Sequence, residues 1–167
     1  MGHVWLIGMM GSGKTTVGRS LADRRGQPFY DTDSMVEAAT GKPIAEIFAD
    51  DGEERFRQLE SEAIREIAAL IDGVVATGGG VVLDRTNVET MRSNGVTVLL
   101  DAPNDTLVSR VSQTDDRPLI VEDPEESLSE IASVRADLYA AAASVTVDAD
   151  GTVEEVADRV EAACAGF

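Results

Sequence analysis

Residues 8–15 read Gly-Met-Met-Gly-Ser-Gly-Lys-Thr and match the phosphate-binding pattern G-x-x-x-x-G-K-[ST]. An apolar run at residues 4–7 precedes the pattern and a helix-like pattern follows it, which is the context that this loop requires. The glycines let backbone N–H groups face an anion, and the helix N-terminus and Lys14 add positive charge. Thr15 offers a hydroxyl to Mg²⁺. The loop predicts a nucleoside triphosphate site formed by Gly11, Ser12, Gly13, Lys14, Thr15 and Thr16.

Two carboxylates follow the second apolar run of the chain. Asp31 and Asp33 are two residues apart, so they lie on one face if the chain there stays extended. Ligands of open parallel sheets bind outside the carboxyl ends of the strands, where this pair is expected. A carboxylate there could hold Mg²⁺ through water, or orient and deprotonate an alcohol. The alternative is that either residue caps the next helix, a position that Asp favours.

Three consecutive glycines follow the third apolar run, in the segment Thr77-Gly78-Gly79-Gly80. Glycines at the end of a strand permit close approach of the backbone to a ligand, and they offer N–H donors without a side chain in the way. A flexible turn is the alternative interpretation.

Two arginines and one glutamate are ambiguous on their own. Arg57 and Glu60 are three residues apart on one helical face, a spacing that is typical of a surface ion pair. Arg135, in a later helical segment, carries no signal by itself. The only histidine, His3, begins the first strand without a visible partner, so we expect it at the surface or at a strand edge.

The stretch at about 112–125 breaks the regular pattern of the chain. From Gln113 to Glu125 it is polar, contains two prolines and has no clear periodicity. Loops of this length in a compact domain are often active-site lids or disordered segments. Because Arg117 lies within it, we interpret this stretch as a mobile lid rather than a plain surface loop.

The elements that must position these residues alternate between apolar runs and helix-period segments. This βα series predicts an α/β fold, a three-layer α-β-α sandwich with a five-stranded parallel sheet. Strands are expected at 3–7, 28–31, 74–77, 96–100 and 144–147. Helices are expected at about 14–25, 33–39, 44–49, 53–71, 86–93, 104–112, 126–142 and 152–165. In the fourth helix, the expected core-facing stripe is Phe56, Leu59, Ala63, Ile67 and Leu70.

Composition limits the class of protein. The 167 residues predict a single domain, 1–167, with substrate-binding helices at about 32–60. A net charge of −17, from 31 acidic against 14 basic residues, disfavours a nucleic acid partner. No apolar run approaches the roughly 18 residues that span a membrane. The single cysteine, Cys164, suits a reducing compartment, so we expect a cytoplasmic protein. We also expect it to be a monomer.

In order and spacing, these pieces resemble the shikimate kinase family, small P-loop kinases of the nucleoside-monophosphate-kinase type. The resemblance extends over nearly the whole chain. The matching segments are residues 8–16, 31–33, 47–48 with 56–60, 77–80, 117–119 and 135–139.

The resemblance implies roles for the residues that were ambiguous alone. Arg57 and Arg135 would bind a substrate carboxylate, because a planar guanidinium donates two parallel hydrogen bonds to it. Glu60 would orient Arg57, and Asp33 would hold ring hydroxyls together with the glycine backbone. The family's substrate-binding positions correspond here to Asp33, Phe48, Phe56, Arg57, Glu60, Gly78, Gly79, Gly80 and Arg135.

The implied reaction transfers the γ-phosphoryl group of ATP, with Mg²⁺, to the 3-hydroxyl of shikimate, a step of aromatic amino acid (chorismate) biosynthesis. Lys14 and Arg117 would stabilise the phosphate charge, and Arg117 would arrive with the lid and help to exclude water. Thr15 would bind Mg²⁺ directly and Asp31 through a water. Asp33 would orient the attacking hydroxyl.

One segment departs from the family pattern, and rival functions remain. Residues 148–152 are acidic and lack the basic or proline-containing loop that is usual near the adenine, although Arg110 matches a position that can stack on the base. A kinase acting on gluconate or a nucleoside monophosphate is the nearest rival. A catalytically silent nucleotide-binding protein is disfavoured, because Lys14, Thr15, Asp33 and Arg117 are all present.

Overall fold

A computed structural model of the chain describes residues 2–113 and 124–167. The strands of this part are β1 (His3–Ile7), β2 (Phe29–Asp31), β3 (Val74–Ala76), β4 (Gly95–Asp101) and β5 (Val145–Asp148). Its α-helices are α1 (Lys14–Arg25), α2 (Thr32–Thr40), α3 (Ile44–Asp50), α4 (Gly52–Ala68), α5 (Arg85–Ser93), α6 (Asn104–Val111), α7 (Pro124–Ala142) and α8 (Val153–Cys164). A short 3₁₀ helix, Val81–Leu83, which the sequence did not predict, follows the glycines after β3.

The five strands form one parallel sheet in the order β2-β3-β1-β4-β5. Its central strand, β1, is buried along its whole length, so alternate side chains feed two separate cores. Val4 and Leu6 pack in the core shared with α1 and α8. Trp5 and Ile7 pack in the core on the other face of the sheet. The predicted three-layer α-β-α fold is therefore confirmed.

A third and smaller core lies under the helices between β2 and β3. It is formed by side chains from α2, α3 and α4 and is centred on Ile47 and Phe56, with rings of Phe48 and Phe56 in contact. We call this part of the molecule the acceptor corner. It comprises the segment, about 32–60, that the sequence predicts to bind substrate. Its buried members are Val36, Ile47, Phe56, Leu59 and Ala63.

Two sequence expectations were wrong. Leu70 was assigned to the core-facing stripe of α4, but the helix ends at Ala68 and Leu70 is 44% exposed. His3 was expected at the surface or at a strand edge, but it is buried, because β1 is the central strand. The Nδ1 atom of His3 accepts a hydrogen bond from the backbone N–H of Gly73 at 3.1 Å, and its ring packs edge-on against Trp5.

Candidate active site

The phosphate-binding loop connects β1 to α1, as its sequence pattern predicts. Gly11 and Gly13 have φ angles of 80° and 93°, in the left-handed region that favours glycine. A Cβ on Gly11 would also lie 2.9 Å from the side chain of Val111, so this turn excludes larger residues. Gly13 is the N-cap of α1, which places the loop at a helix N-terminus. The loop therefore has the backbone path and the dipole of an anion site.

The side chains of the loop are held by its own backbone. Lys14 Nζ donates hydrogen bonds to the carbonyl oxygens of Gly8 and Met9 at 2.8 and 2.9 Å. Thr16 Oγ1 donates to Gly13 O at 3.3 Å, and Ser12 is buried. The lysine thus lies across the concave side of the loop, where a phosphate would bind.

Asp31 caps the next helix, one of the alternatives that the sequence left open, and it also contacts the helix that follows the phosphate loop. Its Oδ1 atom accepts a hydrogen bond from the backbone N–H of Ser34 at 3.1 Å and caps α2. Its Oδ2 atom accepts from Thr15 Oγ1 at 3.0 Å. One carboxylate therefore links the end of β2 to the start of α1, and it brings a carboxylate oxygen and a hydroxyl together beside the phosphate loop.

A cavity of about 280 Å³ opens between the acceptor corner and the phosphate loop. Met10 of the phosphate loop contributes to its wall, so the two parts of the site adjoin. We call it the acceptor cavity. The residues with predicted substrate roles all line it: Asp33, Phe48, Phe56, Arg57, Glu60, Gly78, Gly79, Gly80 and Arg135. The sequence did not indicate the other lining residues, Glu37, Pro43, Ile44 and Ala45, which carry no motif.

The Arg57–Glu60 pair is an interior pair, not a surface one. Glu60 is 1% exposed, and its Oε2 atom lies 2.9 Å from Arg57 Nη1. Burial raises the pKa of the Glu60 carboxyl, and the positive charge of Arg57 acts in the opposite direction. Arg57 Nη2 contacts Glu53 at 3.3 Å, whereas its Nε atom is buried and donates to no acceptor within the described residues. The guanidinium is therefore oriented from one side and retains a buried donor.

The segment Gly78–Gly80, which we call the glycine segment, lies against these side chains at very short range. A Cβ on Gly80 would come within 2.2 Å of Arg57 Nη1, and one on Gly78 within 2.5 Å of Glu60 Oε1. Only glycine leaves room for the charged groups at these positions. The segment is therefore a close-packed wall of the acceptor cavity and not a flexible turn.

Two residues that sequence reasoning missed fix the glycine segment. Thr32 is fully buried, and its Oγ1 atom accepts a hydrogen bond from the Gly78 N–H at 3.0 Å. Tyr139, on α7, donates its hydroxyl to the carbonyl oxygen of Gly79. In the sequence, Thr32 was marked only by its position between Asp31 and Asp33. Tyr139 was marked only by lying in segment 135–139, which matches the family.

The aromatic residues predicted to line the acceptor site contact each other. The ring centroids of Phe48 and Phe56 are 4.7 Å apart, and the guanidinium carbon of Arg57 lies 5.2 Å from the centroid of Phe56. These rings provide an apolar surface beside the cationic group. The arrangement suits a ligand with one apolar face and one anionic end.

Arg110 lies between the phosphate loop and the acidic loop at residues 148–152. Its Nη1 atom donates to Gly11 O at 3.2 Å, and Nη2 donates to the carbonyl oxygens of Ala149 and Gly151 at 3.1 and 3.3 Å. A second guanidinium, that of Arg159, donates to the carbonyl oxygens of Asp148 and Asp150 at 2.9 and 2.6 Å. Sequence reasoning missed Arg159. Two cations on α6 and α8 therefore hold a loop that contains no basic residue itself.

Other predictions fall outside these observations. Arg117 and most of the predicted lid lie outside the described residues, and the last two residues of the predicted lid belong to α7.

In residues 2–113 and 124–167, no group of three or more His, Cys, Asp or Glu side chains is arranged to hold a metal ion. No helix in that part of the chain is long and apolar enough to cross a membrane.

A phosphate loop after the central strand of a parallel sheet, beside a separate acceptor cavity, defines the class of P-loop phosphotransferases. A family model for shikimate kinase matches residues 10–165. The chain belongs to the shikimate kinase family.

The most informative comparisons extend over almost the full chain. The shikimate kinase of Caldanaerobacter subterraneus subsp. tengcongensis is 45% identical over 96% of this chain and 94% of that protein. The solved shikimate kinase of Acinetobacter baumannii, in complex with shikimate, superposes with a TM-score of 0.93 at 35% identity, covering 96% of this chain and 91% of that one. A gluconokinase from Sinorhizobium meliloti has a TM-score of 0.60 at 18% identity, with 99% and 92% covered, and shares the fold alone.

Proposed function

We propose that this protein transfers the γ-phosphoryl group of ATP to the 3-hydroxyl of shikimate, giving shikimate 3-phosphate and ADP in aromatic amino acid (chorismate) biosynthesis. The observation that carries the proposal is the acceptor cavity. It combines Arg57, Arg135 and Asp33 in one space that adjoins the phosphate loop. Family membership and the shikimate complex of the Acinetobacter baumannii relative support the same substrate.

Arg57 and Arg135 bind the carboxylate of the acceptor. The buried Nε donor of Arg57 has no acceptor within the described residues, and a carboxylate oxygen would satisfy it. Glu60 holds the other edge of the same guanidinium, so the donors of Arg57 are oriented before the acceptor binds. The rings of Phe48 and Phe56, which contact each other at an inclined angle, pack against the apolar face of the carbocycle.

Asp33 and the glycine segment bind the hydroxyl end of the acceptor. A Cβ on Gly78 would come within 3.0 Å of Asp33 Oδ1, so the carboxylate lies directly against the glycine backbone. A carboxylate accepts from a hydroxyl, and backbone N–H groups donate to one. Asp33 orients the 3-hydroxyl toward the phosphate loop and takes its proton as transfer proceeds.

Lys14 stabilises the negative charge of the phosphoryl group in transit. In the structure its ammonium group lies on the carbonyl oxygens of Gly8 and Met9, and it exchanges these partners for phosphate oxygens when ATP binds. We propose that Arg117, which lies outside the described residues, supplies a second positive charge from the lid and excludes water. Arg110, between the phosphate loop and the loop at 148–152, packs against the adenine base.

The contact between Thr15 and Asp31 fits Mg²⁺. A hydroxyl and a carboxylate oxygen lie 3.0 Å apart beside the phosphate loop, and hard oxygen ligands are the ones that Mg²⁺ prefers. A site with so few protein ligands is usual for this ion, which keeps several waters and also binds substrate phosphates. When bound, Mg²⁺ neutralises part of the triphosphate charge. Thr15 and Asp31 would hold it at this place.

The test is release of ADP from ATP with shikimate, gluconate and nucleoside monophosphates offered in turn. We expect turnover with shikimate alone, and mass spectrometry of the product identifies shikimate 3-phosphate. Preferential turnover of gluconate or a monophosphate would replace the proposed acceptor. Absence of turnover with every acceptor would favour a catalytically silent nucleotide-binding protein.

We also propose that the protein is a cytoplasmic monomer with no nucleic acid partner. Its net charge of −17 disfavours binding to a polyphosphate backbone. Light scattering coupled to size exclusion is expected to give a mass near the 17.7 kDa of one chain. A mass of twice that value would contradict the monomer.

A further inference from the structure

We infer that Tyr139 is a positioning residue for the acceptor: its hydroxyl fixes the orientation of the peptide between Gly79 and Gly80. Tyr139 does not itself line the acceptor cavity, so it acts through groups that do: the glycine segment and Arg135, with which its hydroxyl also interacts. The inference rests on the proposed function, because it concerns how the acceptor is held.

The hydroxyl of Tyr139 is enclosed and has a defined partner. Tyr139 is 4% exposed, and its hydroxyl donates to the carbonyl oxygen of Gly79 while lying 3.8 Å from Met9 Sδ. Burial raises the pKa of this hydroxyl above its ordinary value. It therefore stays protonated in the neutral range and remains a donor.

This hydrogen bond determines the direction of a backbone N–H group. The carbonyl of Gly79 and the N–H of Gly80 belong to one planar peptide unit and point to opposite sides of the chain. Two adjacent glycines have wide conformational freedom, so the peptide between them rotates readily unless a partner holds it. Within the described residues, Tyr139 is the partner of the Gly79 carbonyl.

The rest of the glycine segment is fixed independently of Tyr139. The Gly78 N–H donates to Thr32, and the Gly78 and Gly80 carbonyls accept from the N–H groups of Val81 and Leu83 at 3.2 and 3.0 Å. Loss of the Tyr139 hydroxyl would therefore release one peptide without unfolding the segment. The expected consequence is weaker binding of the acceptor hydroxyls.

The same helix also presents a carboxylate-binding group to this place. Arg135 precedes Tyr139 by four residues on α7, one helical turn away. A Cβ on Gly79 would lie 3.6 Å from both Arg135 Nη1 and the Tyr139 hydroxyl oxygen. One turn of α7 thus brings the cavity-lining guanidinium of Arg135 and the hydroxyl that holds the Gly79 carbonyl to the same place.

The test compares Tyr139→Phe with Tyr30→Phe. Tyr30 is the other tyrosine of the chain, and its hydroxyl also donates to a backbone carbonyl, that of Ile71 at 3.0 Å, outside the acceptor cavity. Each variant removes one hydroxyl group and, with it, a hydrogen bond from a tyrosine to a backbone carbonyl. We expect Tyr139→Phe to raise the KM for shikimate about tenfold, with the KM for ATP within about twofold of wild type, and Tyr30→Phe to change neither.

The possible outcomes distinguish a failure of the positioning role from a failure of the proposed function. If the wild-type protein does not phosphorylate shikimate, the proposed function fails first. If it does, and Tyr139→Phe leaves the KM for shikimate unchanged, the positioning role is overturned, even if kcat or the melting temperature falls. Unfolded enzyme lowers the apparent kcat but does not alter KM, so a loss of stability cannot imitate the expected result.

Discussion

The acceptor corner and the nucleotide side of the cleft are built in different ways. Around the acceptor cavity the charges are on side chains packed against one another, such as Arg57 on the buried carboxylate of Glu60. On the nucleotide side the charged side chains contact backbone atoms instead: Lys14 donates to carbonyl oxygens of the phosphate loop, and Arg110 and Arg159 donate to carbonyl oxygens of the loop at 148–152. Recognition of the acceptor therefore depends on a few residue identities, whereas recognition of the nucleotide depends on a backbone path.

The largest effect is expected at Arg57, because its guanidinium is proposed to bind the acceptor carboxylate and also pairs with buried Glu60. Arg57→Ala should lower kcat/KM for shikimate by about a thousandfold, roughly 4 kcal/mol, through loss of a charged pair and the isolation of buried Glu60. Binding of ATP should persist. Steady-state kinetics with each substrate varied in turn measure both effects.

Arg57→Lys refines this test, because it keeps the charge and removes the planar donor pair. We expect it to remain at least tenfold below wild type. An unchanged affinity for shikimate in Arg57→Ala would overturn the carboxylate-binding role.

The next largest effect is expected at Gly80. A Cβ there would come within 2.2 Å of Arg57 Nη1. The guanidinium is the end of a flexible side chain, so it can move aside, although this weakens its pair with buried Glu60. It would then no longer point at the carboxylate, and Gly80→Ala should raise the KM for shikimate about thirtyfold with a moderate fall in melting temperature.

Gly166→Ala is the matched control for Gly80→Ala, since a Cβ on Gly166 would meet nothing within 4 Å. It should behave as wild type. A Gly80→Ala enzyme with an unaltered KM for shikimate would mean that the position of Arg57 in the structure is not the one used in binding.

The next effect is smaller and concerns how stability depends on pH for a buried carboxyl, that of Glu60, and for an exposed one, that of Glu155. The pKa of Glu60 is raised by burial, so folding favours its protonated form. Its contribution to the free energy of unfolding is full below the ordinary glutamate pKa of about 4.3 and is lost as the pH rises through the folded value. The free energy of unfolding of the wild type, relative to that of Glu60→Gln, should therefore decrease as the pH rises from about 4 to 8.

Glu155→Gln provides the opposite case on the nucleotide side. Hydrogen bonds from Thr152, chiefly from its backbone N–H, lower the pKa of the Glu155 carboxyl. Its stabilising contribution is present above the ordinary pKa and is lost as the pH falls through the folded value. Urea titrations at several pH values measure the free energy of unfolding of the wild type relative to each variant. If both relative values changed with pH in the same direction, the predicted difference between Glu60 and Glu155 would be contradicted.

The smallest effect is expected at Arg159. Removing it withdraws one of two guanidiniums from the loop at 148–152 while leaving Arg110 in place, so Arg159→Ala should raise the KM for ATP about threefold. The KM for shikimate should not change. Arg85→Ala, which removes an arginine that is 91% exposed and paired with Glu89, is the control and should alter neither value.

The two regions also differ in how far the sequence alone predicts them. The phosphate loop is contiguous, and the glycines and Lys14 that its function requires stand next to one another, so pattern and function coincide. The acceptor cavity combines residues from α2, α4, the glycine segment and α7. Each of these, Arg57 and Arg135 among them, is uninformative alone, and only their resemblance to a family in order and spacing identified them.

The features that sequence reasoning did not predict are determined by tertiary packing. Tyr139 and Thr32 act through hydrogen bonds to backbone atoms far away in sequence, and no local pattern indicates which carbonyl or N–H a side chain will meet. Leu70 fitted the helical period, yet α4 ended at Ala68 and left it exposed. His3 is buried because of the position of β1 in the sheet, a property of topology that no single strand reveals.

The small core of the acceptor corner has an evolutionary consequence. Val36, Ile47, Phe56, Leu59 and Ala63 pack in a cluster of their own, apart from the two cores that flank the sheet. Substitutions within this cluster can compensate one another without altering how β1 and the phosphate loop are supported. Sequence change within the corner is therefore expected to alter the acceptor cavity before it affects the phosphate loop, except at Met35, which packs against both this cluster and the core beside Trp5.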